Sequence, residues 1–152
     1  MNIKERFRSR NLNEVRIVEK KFEEALEGLT FSIRNITEDE YSKSLSKYRV
    51  LDGLNITNLD ISAMDTDGNK LHTADIVALG IVSINDTQEN AEIPTIKLND
   101  DNWLTEEGFS GPIDLILAYF QPMERTILYN GILEHSGLLK RDLLVNALDI
   151  KK

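Results

Sequence analysis

The chain has 152 residues, of which 41% are apolar and 29% charged, a composition typical of a soluble globular protein with a real hydrophobic core. Its net charge of −8 argues against a general nucleic-acid-binding role, because phosphate contacts need clustered lysine and arginine. The absence of cysteine excludes disulfides, thiolate nucleophiles and cysteine-based metal sites. The two histidines, His72 and His135, lie far apart in sequence and do not make a histidine-rich metal site.

The beginning of the chain is polar and basic. It lacks the apolar core of a signal peptide, and no run of about eighteen apolar residues follows that could span a membrane. We therefore expect an intracellular protein that does not contact a membrane. Residues 1–12 carry Lys4, Arg6, Arg8 and Arg10. They fit either a flexible, solvated terminus or an arm that docks on an acidic surface.

Residues 13–28 fit two different structures. Their apolar side chains recur at helical spacing, and Gly28 is placed where it could end such a helix. Val15 and Ile17, however, also fit the start of a strand. Both alternatives stay open on the sequence alone.

The segment LTFSIRNIT, residues 29–37, nearly alternates apolar and polar side chains, which predicts a short strand. Thr37 and Glu40 then have the three-residue spacing of a capping box, so we expect a helix to begin directly after the strand. Further residues mark one face of that helix: Tyr41, Leu45 and Tyr48.

The middle of the chain combines an irregular stretch with an apolar one. Residues 52–68 are rich in Asp, Asn, Gly and Thr, which predicts irregular structure or a small hairpin. The sequence DTDGNK, residues 65–70, fits a turn better than a calcium loop. A largely buried helix is predicted from Lys70 to Ile84. Residues 85–102, which include Pro94, are expected to form a loop or extended connector.

From residue 103 to 150 the pattern is helical. Ser110 can cap a helix that has Pro112 in its first turn, and Pro122 opens the next one. A last helix follows Gly137. The predicted fold is therefore mainly α with a small N-terminal β element, an α+β class, with residues 13–150 as a single domain that closes in a C-terminal helical bundle.

The segment FQPMERTILYNGILEHSG, residues 120–137, places Glu, Arg, Tyr, Asn and His close enough together to suggest catalysis. Helical spacing puts its apolar residues on one face and its polar residues elsewhere. Gly137 is positioned as the glycine that ends a helix, with Leu138 set to contact Leu133. Each polar residue thus has a structural reason for its position. Because no phosphate-binding loop or nucleophile motif occurs elsewhere, we predict no enzymatic activity, no cofactor and no metal.

Three stretches, in this order, resemble the tail assembly chaperones of tailed phages, small proteins encoded just before the tape-measure protein. They are LTFSIRNITEDEYSKSLSK, ADIVALGIVSI and GPIDLILAYFQPMERTILYNGILEHSG, which together span residues 29–137. The matching positions are Ile33, Arg34, Ile36, Thr37 and Glu40 in the first stretch, and Pro122, Glu124, Ser136 and Gly137 in the last. The resemblance also implies a strand hairpin ahead of residue 29, which would make Val15–Phe22 a strand.

The resemblance implies a chaperone that binds the tape-measure protein in the host cytoplasm and keeps its exposed apolar stripes from aggregating. Tail tube subunits and further copies of the chain are additional expected partners. Family members often produce a longer fusion by frameshifting, and the terminal Lys151 and Lys152 fit either a slippery codon run or a plain solvated tail. The alternative function is a structural or adaptor protein of the tail, neck or baseplate, which would be retained in the virion.

The C-terminal helices are the expected partner surface. The helix that follows Pro112 is apolar on all sides, so part of it must meet either the chain's own core or a partner helix laid in a groove. Aromatic side chains dominate binding hot spots. The predicted anchors are therefore Tyr119, Phe120 and Tyr129.

Overall fold

The computed structural model describes residues 2–8, 14–22, 26, 28–53 and 67–143. Its strands are β1 (Ile17–Lys20), β2 (Leu29–Arg34), β3 (Ile81–Asp86) and β4 (Thr95–Ile96). Its helices are α1 (Ile3–Arg8), α2 (Glu38–Gly53), α3 (Asp67–Gly80), α4 (Asp101–Glu107), α5 (Pro112–Tyr119) and α6 (Pro122–Ser136), and residues 139–143 are also helical. The fold is mainly α with a small four-stranded antiparallel sheet, which confirms the predicted class.

The four strands are ordered β1-β2-β3-β4. In β2 the apolar residues Phe31 and Ile33 point to one face and are fully buried, as the alternating pattern predicted. Phe31 lies opposite Ile84 of β3, and the register shifts by a bulge between Ser32 and Ile33. The other face carries Ser, Thr and Asn side chains, among which the Asn85 amide donates to the Ser32 hydroxyl at 3.1 Å.

The helices cover the apolar face of the sheet. Helix α3 packs against α2, α5 and α6, and α6 also contacts β2. The core between these elements is apolar and includes Phe31, Ile33, Ile76, Val77, Leu115, Ile116, Leu128, Ile132 and Leu133. At about 25 cal/mol per Å² of buried apolar surface, this layer supplies the main driving force for folding.

Two of the predicted helix ends are confirmed in detail. The Thr37 hydroxyl accepts from the Glu40 amide and the Glu40 carboxylate accepts from the Thr37 amide, both at 3.1 Å, which is the reciprocal capping box. At the end of α6, Gly137 has a φ of 74°, and the Leu138 amide donates to the Leu133 carbonyl at 2.9 Å. That bond completes the predicted Schellman ending.

The helix predicted from Lys70 to Ile84 is correct as far as Gly80 and wrong in its last four residues. Helix α3 ends at Gly80, and Ile81–Asp86 is strand β3, which pairs with β2. Gly80 packs tightly against Ile132 of α6, since a Cβ at Gly80 would lie 2.6 Å from that side chain. The β element is therefore not confined to the N-terminal part of the chain.

Two other boundaries also differ from the prediction. Part of the 85–102 connector pairs with β3 as strand β4. The helical part begins at Asp101 and is interrupted after Glu107, because Gly108 takes the left-handed conformation with a φ of 74°. The N-cap of α5 is Gly111 and not Ser110, whose hydroxyl instead donates to the Asp114 carboxylate.

Of the two alternatives for residues 13–28, the strand is correct for Ile17–Lys20, and Gly28 forms a turn into β2 with a φ of 84°. In the basic N-terminal segment, Ile3–Arg8 forms the exposed helix α1. The predictions for 54–66 and for 144–152 lie outside the described residues. Among the described helices, none is both long and apolar enough to cross a bilayer.

Candidate functional site

The interior holds a buried polar network of five side chains: Tyr41, Ser44, His72, Tyr129 and Asp142. Ser44 Oγ lies 2.9 Å from His72 Nδ1, and His72 Nε2 lies 3.1 Å from the Tyr129 hydroxyl. The hydroxyls of Tyr41 and Tyr129 both donate to Asp142 Oδ1, at 2.8 and 2.5 Å. Helices α2, α3, α6 and the 139–143 segment each contribute to this network, which therefore ties four helical elements together.

The two tyrosines fix the direction of the other bonds. Because the Tyr129 hydroxyl proton goes to Asp142, its oxygen is available to accept from His72 Nε2–H. The other ring nitrogen, His72 Nδ1, pairs with the Ser44 hydroxyl. The rings of Tyr41 and Tyr129 meet His72 edge-on, at centroid distances of 5.6 and 5.7 Å.

The network has the residue types of a nucleophile–base–acid arrangement, but it is closed to a substrate. Ser44 and His72 are 3% and 1% exposed, and a nucleophile must be reachable by the group it attacks. Tyr129 also lies between the histidine and the carboxylate, so Asp142 does not orient His72 directly. The arrangement fits a structural brace, in which every buried polar atom has a partner.

A second polar contact joins the sheet to the ends of two helices. Arg34 binds Glu40 through both carboxylate oxygens, at 3.1 and 2.5 Å, and its Nε donates to the Leu79 carbonyl at 2.9 Å. The hydrogen bond from Arg34 holds the pKa of Glu40 below its usual range, with partial burial opposing it and bonds from Thr37 assisting it. The contact connects the end of β2 to the first turn of α2 and the last turn of α3.

The surface carries a group of aromatic side chains that we call the aromatic corner: Trp103, Phe109 and Tyr119, with the carboxylate of Glu107. The Tyr119 ring stacks on Trp103 at 6.4 Å and 9° and meets Phe109 edge-on at 5.5 Å. The Tyr119 hydroxyl donates to Glu107 at 2.5 Å, and this bond is the main cause that raises the pKa of Tyr119. Tyr119 is 48% exposed.

Local features of the sequence position the residues of the aromatic corner. The Asp100 side chain accepts from the Trp103 amide at 2.9 Å and caps α4, and Gly108 turns the chain at the other end of that helix. The Phe109 amide then donates to the Leu104 carbonyl at 2.9 Å, which holds Phe109 against α4. Helix α5 starts at Pro112 and ends at Tyr119, which returns that ring to the face of Trp103.

The three predicted anchors lie in different places. Phe120 is 8% exposed and packs edge-on against Phe31 at 6.4 Å, while Tyr129 is 7% exposed and belongs to the buried polar network. Burial in the core explains both positions, so neither side chain presents a surface to a partner in this conformation. Tyr119 alone among the three is exposed, and it is joined there by Trp103 and Phe109, which were not predicted as anchors.

The buried polar network was not predicted from the sequence, where His72 was considered only as one of two histidines too far apart in the chain to form a metal site. A signal was present: Ser44 lies three residues after Tyr41 on the apolar face of α2, and His72 lies in an apolar helix. The other histidine, His135 in the last turn of α6, has its Nε2 2.8 Å from the Arg16 carbonyl. It fastens the end of α6 to the chain just before β1.

Within the part of the chain that the structure describes, no group of at least three His, Cys, Asp or Glu side chains is arranged to hold a metal ion.

Comparison of the chain with protein-family models, with curated proteins and with solved structures finds no match.

Proposed function

We propose that this protein is a tail assembly chaperone of a tailed phage, a non-enzymatic protein that binds the tape-measure protein and keeps it from aggregating during tail assembly. The resemblance over residues 29–137 motivates this function. The observation that carries it is the aromatic corner, where Tyr119 is 48% exposed and stacked on Trp103 beside the carboxylate of Glu107.

The chemistry of the corner suits an amphipathic helix. Aromatic rings supply large contact areas at little cost in conformational entropy, and they dominate binding hot spots. The neighbouring carboxylates can pair with basic residues on the polar side of such a helix. A helical client would thus lay its apolar stripe on Trp103, Phe109 and Tyr119, which removes that stripe from contact with other client molecules.

The buried polar network supports a binding protein over an enzyme. It contains the serine, the histidine and the aspartate that a hydrolase would use, yet these groups satisfy one another inside the fold. Removing any of them is expected to change stability, as for a brace between helices.

The test is co-expression with the tape-measure protein encoded by the same genome, followed by measurement of the tape-measure protein that remains in solution. Wild type is expected to keep it soluble and to co-purify with it, and Tyr119→Ala is expected to lose both properties while retaining the wild-type melting temperature. Ile93→Ala is the matched control, since Ile93 is an exposed apolar residue away from the corner.

Equal solubility of the tape-measure protein with and without this protein would contradict the proposal. Mass spectrometry of purified particles separates the alternative function. A chaperone is expected to be scarce in the virion, whereas a structural or adaptor protein of the tail, neck or baseplate would be abundant.

A further inference from the structure

We propose that the aromatic corner also binds helix α1 of a second copy, so that two chains exchange their N-terminal helices and form a reciprocal dimer. The proposal rests on the proposed function in so far as the same corner would receive the client. It gives a role to α1, whose side chains are exposed throughout in the single chain.

Helix α1 has the chemistry of a docking helix. Ile3 and Phe7 lie four residues apart, which places them on one helical face, and they are 71% and 64% exposed. The helix also has a defined start, because Asn2 and Glu5 exchange capping bonds at 3.2 and 2.9 Å. An exposed helix that carries two large apolar side chains is suited to bury them against another surface.

The charges of the two surfaces are complementary. Helix α1 carries Lys4, Arg6 and Arg8 against the single acid Glu5. The helices that build the corner carry the opposite sign, and their exposed acids are Asp101, Glu106, Glu107 and Asp114. In a chain of net charge −8, α1 is thus a basic helix beside an otherwise acidic domain. The corner joins these acids to the exposed ring of Tyr119 and the half-buried rings of Trp103 and Phe109.

The structure favours a second copy over the same chain as the source of α1. The side chains of α1 are exposed throughout, so the helix does not lie on the corner of its own chain. A partner chain can bring its α1 to that corner.

A reciprocal exchange of α1 limits the assembly to two chains. If each chain gives its α1 to the other, both corners are filled and the contacts are related by a two-fold axis, the commonest symmetry of soluble oligomers. The dimer would keep the aromatic corner covered until a client helix displaces α1.

The experiment measures self-association of the full chain by sedimentation. One variant reverses the helix charge, Lys4→Glu with Arg8→Glu, and another reverses the corner charge, Glu106→Lys with Glu107→Lys. Each is expected to weaken dimerisation by about tenfold or more, since like charges then face one another. An equimolar mixture of the two variants is expected to recover a heterodimer, because one intact helix then meets one intact corner.

Two further variants serve as controls for unfolding and for unspecific effects of charge. Ile3→Ser with Phe7→Ser changes only exposed side chains of α1, so it is expected to abolish dimerisation without unfolding the domain. Lys21→Glu with Lys140→Glu is the matched charge control, because both lysines are exposed and lie outside α1 and the corner. This control is expected to dimerise like wild type.

A monomeric wild type, reversal variants that dimerise normally, or a mixture that stays monomeric would each overturn the proposal. These results are separable from a failure of the proposed function. A monomeric protein that still keeps the tape-measure protein soluble overturns the helix exchange alone. A dimer that has no effect on the tape-measure protein overturns the chaperone function alone.

Discussion

Two tyrosines of this protein donate a 2.5 Å hydrogen bond to a carboxylate, one in the core and one on the surface. Tyr129 donates to Asp142 inside the buried polar network, and Tyr119 donates to Glu107 at the aromatic corner. The bonds are chemically alike, but Tyr129 is 7% exposed and Tyr119 is 48% exposed. The comparison teaches that the surroundings of a hydrogen bond decide how much the bond contributes to the stability of the fold.

The physical reason is the free-energy cost of leaving a hydrogen-bonding group without its donor or acceptor. When a surface bond breaks, water replaces the missing group, so little free energy changes. When a buried bond breaks, the remaining donor or acceptor stays unsatisfied in a medium of low dielectric constant. The network at His72 is therefore sensitive to single changes, while the exposed Tyr119–Glu107 bond at the corner can be exchanged for bonds to water.

Removing the whole tyrosine ring is expected to give the largest difference in unfolding free energy between the buried polar network and the aromatic corner. Tyr129→Ala deletes a buried aromatic side chain and two bonds of the network, and we expect it to lower the free energy of unfolding by about 3–5 kcal/mol. Tyr119→Ala is expected to leave the fold stable. Urea denaturation of both variants measures the difference.

Phe120→Ala is the matched control for this prediction, because Phe120 follows Tyr119 directly but lies in the core. It should destabilise the protein as Tyr129→Ala does. A strongly destabilised Tyr119→Ala, or a stable Tyr129→Ala, would contradict the division into core and surface.

A finer test removes only the hydroxyl. Tyr129→Phe leaves His72 Nε2 without its acceptor and takes one donor from Asp142, and we expect a loss of about 1–3 kcal/mol of unfolding free energy. Tyr119→Phe keeps its ring contacts with Trp103 and Phe109 and should unfold like wild type. Equal denaturation midpoints for the two phenylalanine variants would show that burial does not separate the two bonds.

Local signals in the sequence predicted the ends of elements better than their type. The Thr37–Glu40 capping box and the Gly137 ending depend on residues a few positions apart, and both were predicted correctly. The segment that became β3 was predicted as helix because a continuous apolar run fits either structure. Its pairing with β2, about fifty residues earlier, decided the outcome, and no local pattern encodes that pairing.

The candidate sites, like the strand pairing, depend on contacts between distant parts of the chain that no local pattern encodes. Tyr119 was predicted as a partner residue from its chemistry, and this stays a prediction. Its position depends on the turn at Gly108 and on the stacking with Trp103. The buried polar network joins Ser44, His72 and Asp142, which lie far apart along the chain and are brought together by the packing of four helical elements. Sequence periodicity places each residue on a helix face and does not reveal which faces meet.

A carboxylate of intermediate exposure extends the comparison. Glu40 and Arg34 have side-chain exposures of 28% and 20%, between those of the two tyrosine pairs. Arg34 holds the pKa of Glu40 below its usual value. The pair therefore stabilises the fold fully above the pKa that Glu40 has when unfolded, and this contribution is lost as the pH falls through its lower, folded pKa.

We expect Glu40→Gln to lower the free energy of unfolding by about 1 kcal/mol at neutral pH, with solvent screening limiting the effect. The difference from wild type should shrink as the pH is lowered through the acid range. Thermal unfolding of both proteins between neutral and acidic pH measures this. The exposed pair Lys43–Asp39 provides the control, since Asp39→Asn removes a similar contact that is open to solvent and should have a smaller effect.

The smallest expected effect is a shift in titration at the corner. The bond to Glu107 raises the pKa of Tyr119, because it is made by the protonated hydroxyl and because a phenolate would face the carboxylate. The folded protein therefore holds this proton to higher pH than the unfolded chain does. The associated stabilisation is present below the ordinary tyrosine pKa of about 10 and is lost as the pH rises through the folded value. Absorbance titration of the phenolate should show one tyrosine whose pKa falls toward the ordinary value in Glu107→Gln, and that same tyrosine should be absent from the titration of Tyr119→Phe. If Glu107→Gln leaves every tyrosine titration unchanged, then the Tyr119–Glu107 bond is not formed in solution, and Tyr119 is held at the aromatic corner by its ring contacts with Trp103 and Phe109.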